Sequence, residues 1–142
     1  MAKNKKEVFV YNKTRESFLA FRVEVADSFV GRLVGLLGKR SLAHGSGLWL
    51  VPGNSIHTVG MRFTIDVVFI DENYRVVGMR EVVRPFSVTW PLFRAKSLLE
   101  LPAHTIFKTR TGVGDQLLID RYEARRSEVQ SELAQSGLTP GR

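Results

Sequence analysis

Apolar and polar positions change their spacing several times along this chain of 142 residues, and each change marks an element. Val8 to Tyr11 is a short apolar run, Asn12 to Ser17 is polar, and from Phe18 to Val25 the residues Leu19, Phe21, Val23 and Val25 alternate with Ala20, Arg22 and Glu24. A period of two belongs to a strand with one face in water, so these pieces predict a hairpin. Phe29, Val30, Leu33, Val34, Leu36 and Leu37 then recur at helical spacing behind Asp27 and Ser28, either of which can cap the first turn, and Gly38 with Lys39 and Arg40 supplies a stop. A helix over about 28–37 is expected. Gly31 and Gly35 weaken it by about 1 kcal/mol each relative to alanine, a cost that close packing against a sheet would explain.

Leu48 to Val51 reads as a short buried strand broken by Pro52 and Gly53, and Gly53 to Gly60 as a loop. Thr64 to Ile70 and Tyr74 to Arg84 flank the polar Asp71, Glu72 and Asn73, the plainest hairpin in the chain, with Gly78 placed to mark a bulge. Ser97 to Leu101, ended by Pro102, and Gln116 to Asp120, after the Gly112 to Asp115 turn, bring the total to about seven strands. The expected fold class is therefore α+β, predominantly β: one compact, partly barrel-like domain with a helix at about 28–37 and short helices near 103–110 and 121–134. Residues 1–7 form a flexible basic N-terminus, 8–120 the domain, and 121–142 a C-terminal extension, helical or frayed, that sets Tyr122, Arg126, Val129 and Leu133 on one helical face.

Composition narrows the function classes. With zero cysteines the chain has no disulfide, thiol nucleophile or thiolate metal site, and the expected compartment is the cytoplasm. Its start is polar and its longest apolar runs, such as Val67 to Ile70, are far shorter than an export signal or a membrane-spanning helix requires. The net charge of +7 is spread out: Lys3, Lys5 and Lys6 carry three charges, four arginines against three glutamates leave one on residues 121–142, and three remain on 7–120. Flexible basic ends attract polyanions weakly and without specificity, so the total charge does not itself define a nucleic-acid site.

Two strings are distinctive: Gly35-Leu36-Leu37-Gly38-Lys39-Arg40-Ser41-Leu42, and the run from Ser55 through Ile56, His57, Thr58, Val59, Gly60, Met61 and Arg62 to Ile70. Together with Leu98 to Pro102 and Gly112 to Asp115, they make residues 8–120 resemble the domain-of-unknown-function family 192, also called uncharacterised protein family 0127. The resemblance implies a compact domain of mixed strands and short helices and brings no activity, substrate or cofactor with it. This chain is similar to the branch carrying Ile56, His57, Thr58 and Met61, where many relatives have a Trp-Met-x-Asn-Thr string.

Several constellations could carry chemistry. Asp66 opens an otherwise apolar strand, on the face of Thr64, Val68 and Ile70; buried, it could act as a general acid or base with His57 or Glu100 in a hydrolase- or isomerase-like site. The structural reading has Asp66 accepting backbone N–H groups of the 53–60 loop. Glu100 lies on the opposite face to Leu99 and Leu101. The histidines at 44, 57 and 104 lack any compact ligand spacing, so neither a metal nor a cofactor is expected, and Ser55 and Thr58 read as turn hydroxyls more than as a nucleophile for His57. Arg75, Arg80, Arg84, Arg94 and Lys96 face only Glu81 in charge and interleave with Phe86, Trp90 and Phe93, a pattern suited to an anion or a single-stranded nucleic acid, or else to a charged edge with the aromatics folded onto the core. The preferred reading is a ligand- or protein-binding accessory module that presents residues 53–63 and 84–96, with His57, Thr58, Met61, Arg84, Trp90 and Arg94 as the binding candidates; the acid/base enzyme is the alternative, and nucleic acid comes behind both.

Overall fold

The structure, a computed structural model, describes residues 6–28 and 36–137. The helix expected at about 28–37 lies outside the described residues. Seven strands follow one another: β1 (Glu7–Asn12), β2 (Ser17–Ala26), β3 (Ser46–Leu50), β4 (Ile65–Ile70), β5 (Val76–Val83), β6 (Ser97–Pro102) and β7 (Leu117–Arg121). Among the described residues two helices accompany them, α1 (Thr105–Thr109) and α2 (Tyr122–Gln135). The expected α+β, strand-dominated domain is what forms, and both hairpins fall where the apolar segments and the polar turns between them put them.

All seven strands join one sheet in the order β5-β4-β6-β3-β2-β1-β7. Every pairing is antiparallel except β2 with β3. The sheet curls into a half-barrel, and its two edges are tied at one end: Val76 N–H donates to Asp115 C=O, Gly114 N–H to Val76 C=O and Leu117 N–H to Tyr74 C=O, around an Arg75–Gln116 bridge. Such ties satisfy groups that an open edge would leave to water or to another chain.

The curl separates two apolar clusters. The inner one gathers Val10, Val23, Val68, Ile70, Val76, Leu99, Leu101 and Leu117, with Ile106 of α1. The other lies on the opposite face of β3, β4 and β6, where Leu48, Leu50, Ile65, Val67, Phe69 and Leu98 are covered by Ile56, Met61 and Ala95, with Phe63 and Leu92 packed against them. β4 is therefore buried on both faces, which is why its sequence, Asp66 apart, is apolar throughout and lacks alternation. The two segments around it, 53–63 and 84–96, are consequently a second layer of the fold.

Close approach fixes two glycines. A Cβ on Gly47 would sit 2.9 Å from both the Glu100 carbonyl oxygen and a Leu101 methyl, so β3 and β6 demand glycine there. A Cβ on Gly78 would stand 2.5 Å from a Leu92 methyl. Gly78 borders the β4–β5 register shift, as its place in the sequence suggests, and it also makes the seat for Leu92.

Candidate functional site

The second layer is stitched together by two threonines. His57 and Val88 form an antiparallel bridge, flanked by Thr58 N–H donating to Ser87 C=O at 2.8 Å and Thr89 N–H to Ile56 C=O at 2.9 Å. The ladder is completed by side chains: the Thr89 hydroxyl accepts from Ile56 N–H at 2.9 Å, and the Thr58 hydroxyl accepts from Ser87 N–H at 2.8 Å while donating to Arg84 C=O at 2.7 Å. Both threonines are buried. Residues 54–61 and 84–92 thus form a fixed ribbon lying on the β4 side of the sheet.

Burial alternates along that ribbon. Thr89 is buried and Ser87 half-buried, whereas Phe86, Val88 and Trp90 are 75%, 74% and 85% exposed, and Phe93 beyond the turn is 84% exposed. The aromatics are not folded onto the core; that alternative is corrected, because Leu92, Ala95, Ile56 and Met61 already occupy the apolar ground beneath. His57, Arg62, Arg84, Arg94 and Lys96 are exposed as well, while Thr58 and Met61 are buried. Of the six binding candidates, four therefore face water and two hold the ribbon down. Within residues 53–63 and 84–96 stand Arg62, Arg84, Arg94 and Lys96 and no acidic residue.

The carboxylates do not meet. The register sets Asp66 opposite Leu101 and Val67 opposite Glu100, so Asp66 and Glu100 point to opposite faces of the sheet. Asp66 is fully buried, and its two oxygens accept from Val82 N–H and Ile106 N–H, each at 2.9 Å. The expected donors in the 53–60 loop are corrected: they are the end of β5 and the first turn of α1, because the side chain points to the inner face, away from that loop. Val82 has φ 52, a left-handed conformation that disfavours a β-branched residue, and the Asp66 bond holds it there just before the chain enters the ribbon. Asp66 thus fixes the entry to the 84–92 segment from the inner face of the sheet.

Glu100 is buried beside Leu48, Val67 and Leu98, and its Oε2 has no hydrogen-bond partner among the described residues. Burial pushes its carboxyl up to about 7. Asp115 is the opposite case. Burial alone would raise it, yet bonds from the Asn12 amide, the Gly112 N–H and the Arg15 guanidinium outweigh that and hold it below the usual carboxylate range. The Gly112 to Asp115 turn therefore encloses its own carboxylate, and Asn12 ties it to the β1–β2 turn. His44, His57 and His104 are exposed, and among the described residues no three His, Asp or Glu gather into a metal-ligand group.

Sequence reasoning overlooked Val88 and Thr89. The signal was present, since Phe86-Ser87-Val88-Thr89-Trp90 alternates strictly, but Pro85 and Pro91 on either side made the stretch read as loop.

With this geometry in view, the comparisons place the chain. The family model for domain of unknown function 192, described as "Uncharacterized ACR", matches residues 10–119. The chain belongs to this family. A UPF0127 protein of Thermococcus sibiricus is 30% identical over 125 residues, covering 84% of this chain and 79% of the relative. The Pyrococcus furiosus UPF0127 protein PF1050 is 31% identical over 109 residues, covering 75% and 93%. Among solved structures, a Sinorhizobium meliloti chain described as a candidate transcription regulator superposes with a TM-score of 0.71 at 21% identity, over 83% of this chain and 95% of its own. A Novosphingobium aromaticivorans protein of unknown function gives a TM-score of 0.68 at 19% identity, over 79% and 83%. At these identities the DUF192 chain shares a fold with both.

Proposed function

We propose that this DUF192 protein is a cytoplasmic accessory module that binds a partner protein through the ribbon formed by residues 53–63 and 84–96. One observation carries the reading: Phe86, Val88, Trp90 and Phe93 are held out into solvent by a hydrogen-bonded scaffold. Large apolar side chains presented together on a fixed support mark interaction surfaces, and tryptophan, phenylalanine and arginine are the side chains that anchor them. The buried polar groups at positions 58, 66 and 89 are engaged by backbone, in keeping with a role in support. The zero cysteines suit a reducing compartment.

The test compares tagged wild-type chain with the Trp90→Ser/Phe93→Ser double variant. Each draws partners from a lysate, the retained protein is purified, and its affinity for both forms is measured by calorimetry. A loss of roughly tenfold or more in the variant, at an unchanged melting temperature, is expected. Equal affinity for the two forms defeats the reading.

A further inference from the structure

We infer that the partner is an extended peptide segment with acidic flanks, which adds as a strand along the outer edge of residues 87–90; this rests on the function proposed above. Three observations converge on it. The first is the bridge geometry. Because the ladder bonds run through Thr58–Ser87 and Ile56–Thr89, the bridged pair His57–Val88 is of the non-bonded kind, and the N–H and C=O of Val88 point away from the 54–61 side. Among the described residues neither group has a hydrogen-bond partner. An edge with a free donor and a free acceptor is what strand addition uses.

The second is the alternation of exposed Val88 and Trp90 about buried Thr89, with exposed Phe86 held beside them at φ 62 by its N–H bond to the Thr58 C=O. An added strand would carry every second side chain onto the same exposed face, against this row, so that apolar residues two apart in the peptide would be chosen. Val88, an aliphatic at the centre of the row, suits an apolar side chain and offers nothing for a base to stack on. The third is charge. Arg62, Arg84, Arg94 and Lys96 are exposed, and neither segment holds an acid to offset them, so acidic flanks on the peptide are matched and basic ones repelled.

The experiment titrates the full chain with five probes and reads binding from Trp90 emission in a Trp49→Phe background, supported by hydrogen exchange at the Val88 N–H in the unsubstituted chain. The probes are a ten-residue peptide of alternating valine and threonine with Asp-Glu flanks, the same core with lysine flanks, two forms of the acidic peptide N-methylated at the amides of one edge or of the other, and a twelve-nucleotide oligothymidylate. The acidic peptide is expected to bind roughly tenfold tighter than the basic one, to move Trp90 emission to the blue, and to slow Val88 exchange about tenfold. N-methylation at one edge is expected to abolish binding, and methylation at the other edge to leave it.

Equal affinity for both methylated forms overturns strand addition while leaving the surface intact as a docking site. Tighter binding of the oligonucleotide overturns the peptide in favour of nucleic acid. Failure of every peptide, beside a purified partner that loses affinity on Trp90→Ser/Phe93→Ser substitution, overturns this inference alone.

Discussion

Two residues, Asp66 and Glu100, show how burial decides what a carboxyl group does in this fold. Asp66 is buried with both oxygens satisfied by backbone, so Asp66→Asn turns an accepting oxygen into a donor facing an N–H. The substitution is expected to cost about 2–3 kcal/mol in urea unfolding; an unmoved midpoint would show that these bonds contribute nothing. Glu100 is buried with Oε2 unsatisfied, and its carboxyl is raised from 4.5 to about 7. The unfolded chain thus ionises first, so stability falls as pH rises from about 4.5 to about 7 and levels off above, by about 3 kcal/mol in total. Wild type minus Glu100→Gln, followed by denaturant unfolding between pH 5 and pH 8, is expected to trace that slope, and a flat difference would contradict it. Arg110 caps α1 at φ 56 with an exposed side chain, and Arg110→Gly is expected to raise stability by about 1 kcal/mol in the same assay.

At the scale of elements, alternation in β2 and the polar Asp71 to Asn73 turn made the two hairpins legible, and Leu98-Leu99-Glu100-Leu101 read correctly as a strand with Glu100 facing away from Leu99 and Leu101. What stayed hidden was the second layer. Nothing local in Ile56 or Met61 says that they cap β4, since that depends on a register formed with β6, about thirty residues further on. Thr58 and Thr89 likewise look like ordinary turn hydroxyls until partners 26 to 33 residues away are known. The junction between layers can be probed at Gly78, where a methyl group would collide with Leu92. Gly78→Ala is expected to destabilise the protein by roughly 1–3 kcal/mol, with faster amide exchange at Thr58 and Thr89 than at the inner strands. Uniform acceleration across the sheet would mean that Leu92 does not anchor the ribbon.

For the whole molecule, the exposed aromatic row and the packed core are different sets of side chains. Phe86, Trp90 and Phe93 stand clear of both apolar clusters, so replacing all three with serine is expected to leave the unfolding free energy within about 0.5 kcal/mol. The same change should reduce the concentration-dependent light scattering of the purified protein, because it removes apolar area open to self-association. A large stability loss would place these rings in the core after all. The bipartite core has one more consequence, for proteolysis. A trypsin cut after the exposed Arg94 would free the strap that roofs Phe69 and Leu98 while leaving the ladder of seven strands connected, so the nicked protein should precipitate before it melts.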